Sequence, residues 1–212
     1  MQIAAVLFPR LTALDLIGPY EVLQRLPDAT VTFVGHRRGE IRTENRFLGL
    51  AVDAAFEEVM RPDVVIVPGG IGTRALMNDS VVLDWLRSVH PTTRFTTSVC
   101  TGSLVLGAAG LLQGLTATTH WSVLNALEPL GATPTSQRVV EHLEHRIITA
   151  AGVSSGIDMA LRLAELLVDE TAAKAMQLAI EYDPQPPFDS GSLAKSSPAV
   201  VERMLEYAQH KA

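Results

Sequence analysis

Short apolar runs alternate with longer stretches of helical period along this chain. The runs 3–8, 31–34, 64–67, 95–99 and 147–150 are together rich in the β-branched residues Val, Ile and Thr, and most lack a polar alternation. Continuous apolar runs of this length suit strands covered on both faces, as in a parallel sheet. Between them, 14–26, 80–90, 102–112, 122–130, 155–167, 171–180 and 198–209 repeat apolar residues at helical spacing. In 80–90, Val81, Val82, Trp85, Leu86 and Val89 share a face; 102–112 is apolar nearly all round and reads as a buried helix. Gly18-Pro19 lies near the start of the first helix, where proline is tolerated. Segments 42–52 and 138–148 read as short antiparallel ribbons. Strand–helix alternation of this kind predicts a doubly wound α/β fold with a mostly parallel sheet and helices on both faces.

The length of 212 residues fits one domain, 1–212, with a full core. The proline-rich piece from Asp183 to Gly191 reads as a surface loop, and the residues after it are too few for a second domain. The net charge of −6 carries no basic face beyond His36-Arg37-Arg38, so nucleic acid is not an expected partner. No apolar run reaches the length of a bilayer span, and the apolar start reads as a buried strand rather than a secretion signal. A single cysteine excludes an internal disulfide and fits a reducing compartment, so the expected location is the cytoplasm.

That cysteine, Cys100, marks the strongest local signal. In Thr97-Ser98-Val99-Cys100-Thr101-Gly102-Ser103 an apolar strand ends, the cysteine comes at once, and small residues open a helix. Such a turn pushes its side chain out at the carboxyl edge of the sheet, where open α/β folds hold ligands. A helix N-terminus beside the thiol is expected to lower its pKa. A lone cysteine is equally readable as a small buried hydrophobe. Val67-Pro68-Gly69-Gly70 is a second strand end, where the amides of Gly69 and Gly70 are candidates to meet developing negative charge. It lacks the ending of a phosphate loop. Asp15, between Leu14 and Leu16, is either an N-terminal cap or a functional acid. Ala151-Gly152-Val153-Ser154-Ser155 is a third strand end, readable as a plain capped turn. His120 comes after a short strand and is either structural or a pocket wall. No metal-ligand spacing is present, and no cofactor is expected.

Together, Leu14-Asp15-Leu16-Ile17-Gly18-Pro19, Pro68-Gly69-Gly70, Ser98 to Ser103 and Ala117-Thr118-Thr119-His120-Trp121 resemble the ThiJ/PfpI superfamily. The run from Thr97 to Trp121 and the tail Glu181-Tyr182-Asp183-Pro184-Gln185-Pro186-Pro187-Phe188 look like its bacterial isocyanide hydratases. The resemblance implies a flavodoxin-like fold related to class I glutamine amidotransferase domains, and a homodimer. It implies an enzyme that adds water to an isocyanide, with Cys100 as nucleophile, Asp15 as its acid/base partner and Thr101 beside them. Ala151, Gly152 and Val153 correspond to a pocket-lining stretch in which Ala151 replaces a glycine. Thr101 stands where protease-like relatives carry histidine, which argues against peptidase chemistry. Two rivals remain within reach of the same motifs: a glyoxalase or deglycase, and a non-enzymatic ligand or redox sensor built on the cysteine.

Overall fold

A computed structural model describes residues 1–209. The chain forms two compact units, Met1–Ile180 and a second one beginning at Glu181. The first unit opens with β1 (Gln2–Val6), α1 (Ala13–Leu23), β2 (Thr30–Gly35), β3 (Gly39–Arg42), β4 (Gly49–Val52) and β5 (Ala54–Ala55). It continues through β6 (Val64–Val67), α2 (Thr73–Leu76), α3 (Ser80–Val89), β7 (Phe95–Val99), α4 (Gly102–Ala108), β8 (Thr116–Ala117) and β9 (Thr133–Pro134). It closes with β10 (Val139–His142), β11 (Ile147–Ala150), α5 (Ser155–Leu167) and α6 (Glu170–Ala179). The second unit contains a 3-10 turn at Leu193–Lys195 and α7 (Pro198–Gln209).

Seven strands form the main sheet in the order β10-β11-β7-β6-β1-β2-β5. All neighbours are parallel except β10 and β11, which form an antiparallel hairpin at one edge. The predicted ribbon at 138–148 is therefore part of the main sheet. The ribbon predicted at 42–52 is the separate antiparallel pair β3–β4. Ile3 to Val6 and Val64 to Val67 are almost completely buried, which is why these runs show no polar alternation. The polar residues of β7 are buried too. Thr97 Oγ1 donates to the Val65 carbonyl at 2.9 Å, so the strand stays central despite its hydroxyls.

From β1 the chain crosses to β2 in one direction, and from β6 it crosses to β7 in the other. Right-handed crossovers then put α1 and α3 on opposite faces. The change of direction opens a crevice at the carboxyl ends of β1 and β6. The loop after β1, the turn after β6 and the turn after β7 all reach that edge. On the α1 face, α1 and α5 approach closely. A Cβ on Gly18 would sit 3.0 Å from Ile157 Cγ1, and one on Gly156 would sit 3.1 Å from Pro19 Cγ. Small residues there bring α1 against the segment after β11.

Several boundaries differ from the periodicity. The first strand ends at Val6, although Leu7 still donates to the Val34 carbonyl at 2.7 Å, because Pro9 and a left-handed Arg10 (φ 64°) turn the chain. The helix expected over 102–112 ends at Ala108, and Gly110 takes φ 80°. The helix expected over 122–130 is instead a 3-10 segment, Trp121–Leu130. It is kinked at Val123 and carries Pro129, so apolar spacing did not yield an α-helix. Pro19 lies in the second turn of α1, beyond the position where its missing N–H costs nothing. Among the described residues no helix is long and apolar enough to cross a membrane.

Gly102 opens α4 directly beneath β6. A Cβ there would collide with the Val67 carbonyl oxygen, a backbone atom that cannot swing aside. Gly102→Ala should destabilise the fold by about 3 kcal/mol or more, read from urea unfolding. Wild-type stability in that variant would show that the helix can open without this close approach.

Candidate active site

Asp15, Gly69 and Cys100 are far apart in sequence and meet at the crevice. Each comes after a strand of the central sheet, so parallel pairing of β1, β6 and β7 sets their spacing.

Cys100 occupies a sharp elbow between β7 and α4. Its backbone is left-handed, φ 56°, a conformation that costs a non-glycine residue about 1–2 kcal/mol. Hydrogen bonds from both sides hold it there. Its N–H donates to the carbonyls of Ala150 (3.0 Å) and Ala151 (2.8 Å). Its carbonyl accepts from the hydroxyls of Thr119 (3.0 Å) and Ser103 (3.1 Å). The alternative reading of Cys100 as packing alone does not account for a strained turn braced from both sides.

Asp15 is completely buried in the first turn of α1. It does not cap the helix; Thr12 occupies the cap position. Its carboxylate instead crosses to the next strand end, where Oδ2 accepts from the Gly69 N–H at 2.9 Å. Thr12 N–H donates back to the Gly69 carbonyl at 2.9 Å, so two backbone segments clasp each other around the carboxyl. Oδ1 has no hydrogen-bond partner of regular geometry. The Cys100 thiol lies beside Asp15, and each group shifts the other's pKa.

Those shifts share one cause. Removal from water raises the Asp15 pKa from 3.8 to about 7, with Gly69 and Cys100 pulling the other way. Burial, and then the negative charge of Asp15, push the Cys100 thiol well above its usual range. The amides of Thr101 and Val153 oppose this by pointing at the sulfur. The amide at the helix end does pull the thiol pKa down, as expected, but burial and the Asp15 charge outweigh it and the net shift is upward. The opening helix is seven residues long, and its amides are outweighed by desolvation and a neighbouring carboxylate. Two groups that both resist ionisation hold one proton between them near neutrality.

Gly69 and Gly70 correct an expectation. Their amides do not face open space. Gly69 N–H is given to Asp15, and Gly70 N–H to Thr101 Oγ1 at 2.9 Å. A Cβ on Gly69 would come within 2.7 Å of Asp15 Oδ2 and of Thr101 Oγ1, so this position must be glycine for the three to meet. The Thr101 hydroxyl donates to the Gly70 carbonyl (3.2 Å), and Thr73 Oγ1 bonds that same carbonyl at 2.8 Å. Thr101 thus ties the elbow to the glycine turn with its side chain, while its amide faces the sulfur.

The segment after β11 completes the surround. Ala151 holds the elbow through its carbonyl, and Val153 offers its amide. Gly152 lies against His120: a Cβ there would be 2.9 Å from the ring Cδ2. His120 Nδ1 contacts Ser122 Oγ at 2.7 Å, and burial lowers its pKa, which favours the neutral ring. It packs on the site's edge and does not figure among the groups acting on Cys100. Three contributors were not singled out from sequence. Thr119 stands next to His120 in a motif quoted for resemblance. Thr73 begins a helix of four residues. Glu44 lies in the ribbon turn, with no motif to mark it, yet its charge reaches both Asp15 and His120.

The chain is similar to several known proteins. The model of the DJ-1/PfpI family matches residues 1–166. Isonitrile hydratase of Pseudomonas putida is 48% identical over 208 residues, 98% of this chain and 90% of that protein. Protein DJ-1alpha of Drosophila melanogaster is 29% identical over 185 residues, 85% of this chain and 84% of its own. The crystal structure of a ThiJ/PfpI family protein from Pseudomonas syringae superposes with a TM-score of 0.92 at 37% identity. It covers 99% of this chain and 86% of that one.

The carboxyl's burial leads to two measurements. Alkylation of Cys100 requires a base to take the thiol proton, so its rate should rise with pH through about 7 as Asp15 ionises, and Asp15→Asn should erase that step. A carboxyl whose folded pKa lies above its unfolded value costs stability as pH rises from 3.8 to about 7, and the full cost persists at higher pH. The difference corresponds to about 4 kcal/mol at most. Asp15→Asn should therefore melt higher than wild type at pH 8 and lose that advantage at pH 4.

Proposed function

This chain belongs to the DJ-1/PfpI family, and from that premise we propose that it is an isocyanide hydratase, an enzyme that adds water to R–N≡C and releases an N-substituted formamide. The near-full-length identity to isonitrile hydratase supports the reaction. The observation that carries the chemistry is the buried Asp15 carboxyl beside the Cys100 thiol, with one oxygen unpartnered.

At rest the pair holds one proton, which thiol and carboxyl share. Transfer of that proton to Asp15 makes the thiolate. Sulfur attacks the terminal isocyanide carbon, forming the S–C bond and leaving an electron pair on that carbon. Asp15 protonates it, giving a thioimidate, R–N=CH–S–Cys100, and becoming a carboxylate again. Asp15 next takes a proton from water as the oxygen adds to the same carbon, and passes that proton to nitrogen. It finally takes the hydroxyl proton as the C–S bond breaks. The formamide leaves, and the proton returns to sulfur. Every proton moves through one carboxyl, which needs a pKa near neutrality to act both as acid and as base.

The amides of Thr101 and Val153 stabilise the thiolate at the start and end of this cycle. Gly69 fixes the carboxyl, the Thr101 hydroxyl fixes the glycine turn, and Ala151 fixes the elbow. His120 and Gly152 form the wall beside them. A homodimer working in the cytoplasm completes the reading; a lone reduced thiol suits that compartment.

The test is formamide formation from a simple alkyl or aryl isocyanide. Cys100→Ala should abolish it, and Asp15→Asn should cost about 10²–10⁴-fold. Full activity in Asp15→Asn would sink the acid/base role. Turnover of methylglyoxal in place of isocyanide would move the assignment to the glyoxalase class, and turnover of neither would favour a sensor.

A further inference from the structure

The β3–β4 turn carries a group that the hydration cycle does not use. Glu44 makes two bonds to two different parts of the crevice. Its N–H donates to the Leu11 carbonyl at 3.1 Å. Its Oε1 accepts from the Ile71 N–H at 3.1 Å. Leu11 belongs to the loop that leads into α1 and Asp15. Ile71 comes directly after Gly69 and Gly70. Nearby, Arg10 N–H donates to the Arg42 carbonyl at 2.8 Å and Gly72 N–H donates to the Arg10 carbonyl at 3.2 Å, so ribbon, loop and glycine turn are linked in series. The turn holding Glu44 is itself ordered: Thr43 N–H donates to the Leu48 carbonyl (3.0 Å) and Arg46 N–H to the Thr43 carbonyl (2.9 Å).

We infer that Glu44 is a positioning residue: by binding Leu11 and Ile71 at once, it holds the loop that carries Asp15 against the turn whose Gly69 amide fixes the Asp15 carboxyl. The Asp15–Gly69 bond and the Thr12–Gly69 bond both depend on this same loop-to-turn distance. The side-chain half of the brace is separable from the backbone half, because only the Ile71 bond uses the carboxylate. Charge adds a second effect in the same direction as the chemistry. The titratable groups acting on Asp15 are Cys100 and Glu44, and the charge of Glu44 also acts on His120. A negative charge at that point favours the protonated form of Asp15, the form that must supply a proton to carbon.

This inference rests on the hydratase reading for its turnover assay but not for its second readout. Glu44→Ala removes both acceptor and charge; Glu44→Gln keeps a side-chain carbonyl for Ile71 and removes only the charge. Formamide formation and the alkylation of Cys100 by iodoacetamide across pH are measured on wild type and both variants, with thermal melts alongside. Glu44→Ala should lower kcat about 10-fold or more with KM changed less than about 3-fold, and lower the alkylation plateau in parallel. Glu44→Gln should restore both to within about 3-fold of wild type while moving the alkylation midpoint to lower pH. Melting temperatures should stay close to wild type, since Glu44 is exposed. A Glu44→Ala variant with wild-type kcat and plateau would overturn the inference. So would a Glu44→Gln variant no better than alanine, or one whose midpoint does not move. If wild type makes no formamide, the hydratase reading falls, and the alkylation plateau and midpoint still decide the role of Glu44.

Discussion

A carboxyl group buried without a full set of hydrogen bonds is the constraint on which this structure turns. Asp15 has one backbone donor, Gly69, where a stable carboxylate in a protein interior takes two or three. Its charge is thereby made costly and its proton is retained to near neutral pH. The same lack of solvent holds the proton on Cys100. Neither group would be well suited to its task alone: the thiol would be a poor nucleophile and the carboxyl an idle buried acid. Side by side they form a unit in which a proton can be exchanged internally with little change in total charge.

The fold supplies that unit by geometry rather than by local sequence. Parallel pairing of β1, β6 and β7 brings three strand ends to one edge, and the reversal of crossover direction leaves a crevice between β1 and β6. Glycine is required where three polar groups converge at Gly69, because any Cβ would strike the Thr101 amide and the Asp15 carboxyl. It is required again at Gly102, where α4 starts against the β6 backbone. The strained elbow at Cys100 is stabilised by carbonyls from the β11 end and hydroxyls from Thr119 and Ser103. Strain, burial and glycine content thus act together to hold the Cys100 thiol and the Asp15 carboxyl side by side at the crevice.

The same arrangement explains why the glycine turn does not act as an anion hole. Its amides are consumed in holding Asp15 and Thr101, and the free donors that face sulfur come instead from Thr101 and Val153. A site of this type favours a small neutral electrophile with one reactive atom. Isocyanides fit that description, since the carbon accepts the sulfur and the proton in turn. The negative charges of Asp15 and Glu44 at the same edge would repel an anionic substrate.

Sequence alone determined the layer order and most strands, because continuous apolar runs can be buried on both faces only between helices. It also located Cys100, Gly69 and Ala151 to Val153 at strand ends, where open α/β sheets place chemistry. It misjudged elements whose boundaries depend on backbone conformation: the end of α4 at Gly110, the kinked 3-10 segment after His120, and Pro19 one turn into α1. Propensity and period do not report which φ values tertiary contacts will impose. The tertiary structure decided everything that depends on two distant segments touching. It alone could show that Asp15 reaches across to Gly69 rather than capping its helix, that burial overrides the helix end in setting the thiol pKa, and that Glu44 meets the site from a ribbon with no motif of its own. Desolvation and hydrogen-bond partnership belong to the space between elements, and a linear pattern does not encode that space.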